Sequence, residues 1–311
     1  MPEQKQKKKK RSDILITALL IFAMLTGVAV FCYPAFSSWW NARVQTRVID
    51  SYNRAVGSLD DSSKVDMLEQ AHAYNTALSA LPDPLNDYRQ LADYDTILDV
   101  TGTGIIGYID IPKISVHLPI YHGTSPEVLN DAVGHLEGTS FPVGGVNCHS
   151  VISAHRGLPS AKLFTDLDRL TEDDRFTISV LDEVLTYEVE TITVVRPFEM
   201  SGLRPVAGRD LVTLMTCTPY GINTHRLLVQ AHRIDTMTEE EVVRKVRIPA
   251  DAVLLDDADI LPVLLLPIAA LLLIYWTCSK SGRHKKFVSA YTVRKATGET
   301  ERKRDNHAEK E

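Results

Sequence analysis

Two apolar runs, one near each end of the chain, constrain everything between them. Residues 14–33 read ILITALLIFAMLTGVAVFCY and residues 260–278 read ILPVLLLPIAALLLIYWTC, each without a charged side chain. About 20 such residues in a helix span roughly 30 Å of hydrocarbon, so the sequence predicts two membrane spans. Tyr33, Trp39 and Trp40 follow the first, and Tyr275 and Trp276 close the second, as aromatic belts at the interfaces would. The basic segment KQKKKKR (residues 5–11) precedes the first span, and Lys280, Arg283, Lys285 and Lys286 follow the second, while Asp256, Asp257 and Asp259 sit on its inner flank. By the positive-inside rule both tails are cytoplasmic and residues 34–259 form one outward-facing ectodomain. A cleaved signal peptide is the rival reading of the first run, but that run is long for one and no clear A-x-A site follows it. The ectodomain is outside on either reading.

The chain has 311 residues and a formal charge of -6, and its basic residues collect at the termini rather than on one folded face, so nucleic acid is excluded as a partner. Of four cysteines, Cys32 and Cys278 lie in the spans, leaving Cys148 and Cys217 outside. That is no disulfide framework, although one bridge between the two is arithmetically possible.

Within the ectodomain, apolar residues at helical spacing (Val44, Val48, Tyr52 and Val56, then Val65, Leu68, Ala71, Tyr74 and Leu78) predict two amphipathic helices. The turn-rich segment 57–63 separates them. Leu81-Pro82-Asp83-Pro84-Leu85 follows as a surface loop, because two prolines stop a helix. From Gly104 the pattern changes to seven short β-type runs, GIIGYIDIP, VHLPIYHG, CHSVISAH, RFTISVL, VLTYEVETITVV, LVTLMTC and HRLLVQAHR, punctuated by glycine and proline. A mostly β fold, a sandwich or barrel over roughly 100–235, is expected. Residues 159–170 read as a short helix, residues 237–258 as a charged helical stalk, and 279–311 as a tail too polar to bury a core.

The chemistry concentrates in TLMTCTPYGINTHRLLV, residues 213–229. An apolar strand ends at Cys217, a Pro-Tyr-Gly turn follows, and a second apolar strand begins at Arg226, which sets a thiol and a guanidinium at the same end of adjacent strands. A fixed positive charge raises the thiolate fraction that a nucleophile needs. Arginine stays protonated and is no base, so its use is to donate hydrogen bonds to an oxyanion. His155, in Ser153-Ala154-His155-Arg156-Gly157, is the best placed acid or base. The other histidines (His117, His122, His135, His149, His225 and His232) match no zinc spacing, so neither a metal nor a cofactor is expected.

The segments Thr216-Cys217-Thr218-Pro219-Tyr220-Gly221-Ile222-Asn223-Thr224-His225-Arg226-Leu227, Gly134-His135-Leu136-Glu137-Gly138-Thr139-Ser140 and His149-Ser150-Val151-Ile152-Ser153-Ala154-His155-Arg156-Gly157-Leu158 together closely resemble the sortases, specifically their pilus-assembling class C. The resemblance runs from about residue 40 to the end of the second span. It implies an eight-stranded sortase β-barrel with N-terminal helices and a Cys217, His155, Arg226 site. It also implies cleavage of an LPxTG-like signal after its threonine, a thioester on Cys217, and transfer to an amine, in the pilus class a pilin lysine. Cys148 is then expected as a partly buried free thiol, since a permanent bridge would consume the nucleophile. Asp83, Pro84 and Leu85 resemble the class C lid, where an Asp-Pro-aromatic motif covers the site. Asp83 is expected to pair with Arg226, and Leu85 stands where the aromatic residue is usual.

The organisation that follows is a cytoplasmic tail (1–13), a span (14–33), an extracytoplasmic helical segment (34–98) with a lid near 81–88, a catalytic barrel (99–235), a stalk (236–259), a span (260–278) and a cytoplasmic tail (279–311). Two spans and the proline loop favour pilin polymerisation over a housekeeping sortase that anchors proteins to peptidoglycan. A non-catalytic membrane-held adhesin or scaffold reusing the barrel is the rival from another class.

Overall fold

The computed structural model describes residues 2–91 and 93–235. The expected stalk, second span and C-terminal tail lie outside the described residues. The first helix, α1 (Pro2–Gly57), joins the apolar run and the first amphipathic run into one element and passes through Pro34 without ending. Its buried stripe is Gln45, Ile49, Tyr52 and Val56, at helical spacing, whereas Val44 is exposed. Tyr52 is fully buried and its hydroxyl donates to Ile106 O (3.3 Å) and accepts from Leu181 N (2.8 Å), pinning the helix to the barrel. Burial pushes that phenol up to about 12.

Helix α2 (Asp61–Ser79) starts where the turn chemistry predicts, with the Asp60 carboxylate accepting from Ser63 N at 2.7 Å. Its Asn75 is buried and bonds both backbone groups of Phe141, donating Nδ2 to the carbonyl (3.0 Å) and accepting at Oδ1 from the amide (2.7 Å). One side chain thus substitutes for a strand neighbour. The proline loop is a tighter structure than expected: Pro84 occupies the first turn of a one-turn helix, α3 (Pro84–Asp87), where its missing N–H costs nothing, and a 3-10 turn follows over Tyr88–Gln90.

Eight strands close into a barrel: β1 (Ile105–Ile111), β2 (Val116–His122), β3 (Val133–His135), β4 (Cys148–Ser153), β5 (Arg175–Val180), β6 (Glu183–Val195), β7 (Asp210–Thr218) and β8 (His225–Ile234). A short helix, α4 (Pro126–Asp131), connects β2 to β3. Neighbours run β1-β2-β3-β4-β7-β8-β6-β5 and back to β1. Seven strands coincide with the seven runs, and the eighth, β3, is only three residues long, too short to show alternation. Strand residues alternate between the barrel interior (Ile152, Val212, Leu214, Leu227, Val229) and a smaller outer cluster (Val151 and Leu228, joined by Leu203 from the connection between β6 and β7). The helix expected over 159–170 does not form. Leu163 has φ +39, which interrupts a right-handed helix, Phe164 N reaches back to His155 O, and only Leu167–Arg169 makes a 3-10 turn.

Two fully buried histidines and a third that is partly buried make the fold acid-sensitive. His135, fully buried, stacks on Phe141 (5.1 Å between ring centroids), donates from Nε2 to Ser140 O (2.8 Å) and accepts at Nδ1 from the Tyr94 hydroxyl (2.9 Å). Burial pushes it down to about 3, and burial also lowers His122 and His149. A histidine held neutral in the fold takes up its proton only on unfolding, so the unfolded chain binds more protons below about pH 6.5 and stability falls as pH falls. His117, raised by its hydrogen bond to Asp110, works in the opposite sense but is one group against three. His135→Gln is expected to flatten the pH dependence of unfolding free energy between pH 6 and 4 by about 1.4 kcal/mol per pH unit. Parallel pH profiles for the variant and the parent would rule this out.

Candidate active site

Cys217 and Arg226 are paired in register across β7 and β8, so their side chains leave the sheet on the same side. Parity with Met215 and Leu228 makes that side the outer face. On the other flank of β7, strand β4 runs parallel, with Ser153 level with Met215. The chain continues in step past the strand end: Ala154 N donates to Met215 O (3.2 Å) and Thr216 Oγ1 donates to Ala154 O (2.8 Å). His155 is the next residue along this course. Strands β7 and β8 thus set Cys217 and Arg226 opposite each other at one end of the barrel, and His155 lies two residues past the same end of β4, all three partly exposed. Arg226 Nη1 donates to His225 O (3.1 Å) and Asn223 O (3.4 Å), which turns its guanidinium back towards the β7–β8 turn.

A clamp that motif reading missed ties the histidine loop to the cysteine loop. Arg156, next to His155, donates from Nη2 to Asp168 Oδ2 (2.5 Å) and from Nη1 to Thr218 Oγ1 (3.4 Å), and its guanidinium lies over the Tyr220 ring at 5.8 Å. The Arg156 side chain is only 9% exposed. Gly157, at φ +76, lets this contact close, since a Cβ there would lie 3.0 Å from the Tyr220 ring. The signal was present as an arginine and a glycine directly after the histidine, but nothing local to the sequence names Tyr220 as their partner.

The outer face behind Cys217 is roofed. Leu85 of α3 packs with Leu136, Val195, Met200 and Met215 on the cluster of Val151, Leu203 and Leu228. A cleft of about 540 Å³ opens beside it, lined by Asp83, Leu85, Leu136, Glu137, Phe198, Met200 and Arg204 among others. Asp83 does not pair with Arg226. Its carboxylate meets Arg204 Nη2 at 3.1 Å and accepts from Asn86 Nδ2 at 2.7 Å. Arg204 is the nearer partner because its backbone is held over β4 and β7: His149 Nδ1 donates to Arg204 O (3.0 Å) while His149 Nε2 accepts from Thr213 Oγ1 (2.8 Å). Gly138, at φ +80, lies directly beneath α3, where a Cβ would come within 2.8 Å of Leu85 Cα and Pro84 O.

Cys148 is a buried free thiol at the opposite end of β4, paired with Asp210 rather than with the Cys217 end of β7. Seven residues of strand separate the levels, about 23 Å, far beyond disulfide reach. Burial raises its pKa, and Asn75 Nδ2 lies 3.7 Å from the sulfur. Among the described residues no group of three or more His, Cys, Asp or Glu side chains is arranged to hold a metal.

Residues 109–234 match the sortase domain family. The crystal structure of sortase C1 from Streptococcus agalactiae is 43% identical, covers 61% of this chain with 100% of its own, and superposes with a TM-score of 0.56. Sortase C-1 from Actinomyces oris is 45% identical over 55% of this chain and 99% of its own, with a TM-score of 0.51. Among curated proteins, sortase A of Streptococcus agalactiae serotype III is 29% identical over 130 residues, which are 41% of this chain and 52% of that protein. The match therefore spans about half the length of that relative.

Proposed function

This chain belongs to the sortase family of cysteine transpeptidases, and from that premise we propose that it is a membrane-held, pilin-polymerising enzyme acting outside the cell. The observation that carries the reading is the register that sets Cys217 opposite Arg226 on β7 and β8, beside the end of β4 from which the chain runs on to His155. In the proposed reaction the Cys217 thiolate attacks the threonine carbonyl of an LPxTG-like signal. Arg226 donates hydrogen bonds to the oxyanion. His155 protonates the departing glycine amine as the C–N bond breaks, leaving a Cys217 thioester. A pilin lysine amine then attacks that carbonyl, His155 takes its proton, and the sulfur leaves.

Support for the pilus class comes from the class C structures among the neighbours and from the lid-like α3. Support for the membrane reading comes from α1: among the described residues, Ala18–Gly57 contains the one stretch long and apolar enough to cross a bilayer. The two-pass arrangement with both termini in the cytoplasm rests on sequence alone. The test is incubation of the detergent-solubilised chain with LPxTG-type peptides, followed by mass spectrometry. A mass increase on Cys217 equal to the acyl fragment is the expected result, and a folded enzyme that acquires no adduct from any such peptide overturns the reading. Addition of a lysine-bearing pilin domain should then discharge the adduct into an isopeptide product, whereas release only by peptidoglycan amines favours the anchoring alternative.

The segment 81–88 acts, in this reading, as a lid whose latch is Asp83 to Arg204. An exposed ion pair is weak, so Asp83→Ala is expected to speed modification of Cys217 by a small thiol reagent by no more than about fivefold. Gly138→Ala, which lifts the α3 backbone from its seat, should speed it further. Leu85→Trp should slow it by adding apolar contact over the outer cluster. Equal labelling rates in all four proteins would remove the lid and leave the three site residues untouched.

A further inference from the structure

The direction of α1 along the barrel fixes which end of the domain meets the membrane. Near the apolar run, Ser37 Oγ and Asn41 Nδ2 donate to Ser160 O (3.0 and 2.7 Å), and one turn later Gln45 Nε2 donates to Asp131 O (2.6 Å). Ser160 lies five residues past His155, and Asp131 closes the helix just before β3, whose first residue is at the His155 end of β4. Two turns further on, Tyr52 bonds Ile106 and Leu181, at the start of β1 and the end of β5, which are the far end of the barrel. The helix therefore descends from the catalytic end to the opposite one. Followed the other way, it leaves the barrel at the catalytic end and enters its apolar run.

The spacing is short. Ser37 is four residues from Tyr33, about 6 Å of helix, and Phe36, Trp39 and Trp40 lie exposed at the level of Ser160. Residues of this kind sit at the headgroup boundary. At the same end the β7–β8 turn projects past Cys217 and Arg226, with Tyr220 59% and Ile222 67% exposed. Three basic side chains there are engaged by aspartates, Lys113 with Asp174, Lys162 with Asp166 and Arg156 with Asp168, and Arg226 is turned to the carbonyls of its own turn, so the exposed apolar side chains of the turn are the feature left for a surface contact. We propose that the catalytic end of the barrel rests on the bilayer surface, with the β7–β8 turn dipping Ile222 into the interfacial region of the lipid. This rests on α1 being a membrane span. A substrate held in the same membrane then presents its scissile bond to Cys217 at headgroup height.

The test uses the full chain in phosphatidylcholine vesicles with Trp39, Trp40 and Trp276 replaced by phenylalanine and one tryptophan introduced, as Ile222→Trp or as Val146→Trp. Val146 is a matched control, 70% exposed beside Cys148 at the opposite end. With lipids brominated near the top of the acyl chain, emission of the Ile222→Trp protein is expected to fall about twofold while that of the Val146→Trp protein is unchanged. Equal quenching of the two in protein that floats with the vesicles overturns the proposed orientation and leaves the anchor standing. Failure to float overturns the anchor reading, and the proposal with it.

Discussion

Cys217→Ala is expected to abolish the acyl adduct and reduce transfer by roughly 10⁴-fold or more, because no other group at this site forms a thioester. The substitution removes one sulfur from a partly exposed position on the outer face, opposite Arg226. Barrel packing runs through the inner-face residues Val212, Leu214 and Val229, so the unfolding temperature should match that of the parent. Cys148 offers no substitute: it is buried, its pKa is raised, and it lies at the wrong end of β4. The measurement is peptide transfer together with circular dichroism. An alanine variant that still polymerises pilin would sink the enzyme reading in favour of the scaffold alternative.

Arg226→Lys is expected to lower acyl transfer by about 10²-fold or more, on the scale of losing an oxyanion donor. Lysine keeps the charge but not the planar fork, in which Nη1 bonds the turn carbonyls of Asn223 and His225 while the other nitrogens remain to address an oxyanion. The loss should fall on kcat and on kcat/KM alike, since the interaction strengthens only as the oxyanion forms. Near-normal turnover by the lysine variant, or a change confined to KM, would refute the assigned role. Unfolding temperatures for Arg226→Lys and Arg226→Gln should stay close to the parent, separating chemistry from folding.

Much of the barrel was legible because its strands carry a two-residue period that local sequence displays: Asp210–Thr218 and His225–Ile234 are visible as apolar runs, and the Cys217 to Arg226 pairing follows from the turn between them. The third member is another matter. His155 stands out as the best placed acid or base at the end of an apolar run, but the parallel pairing of β4 with β7 that brings that run beside the Cys217 strand is encoded by no short-range pattern. Asp83 failed for a related reason. Its partner depends on where the 196–209 connection lies, which His149 and Thr213 decide by holding Arg204 from beneath. The helix expected over 159–170 had suitable composition, but Leu163, Phe164 and Leu167 are buried in the core, and core contacts outweigh propensity in so short a segment.

The β4–β7 pairing also has a kinetic side. Apart from β1–β5 and the β6–β8 pair, which skips one strand, the other neighbouring strands are consecutive in the chain, whereas Ser153 meets Met215 only after β5, β6 and the long connection have been made. Closing so long a loop costs entropy before any contact repays it, so barrel closure is expected late in folding. The unfolded chain would carry the Cys217 thiol far from both His155 and the clamp at Arg156 until that closure. Reactivity would arise together with the native topology, and the nascent thiol would behave meanwhile as an ordinary cysteine.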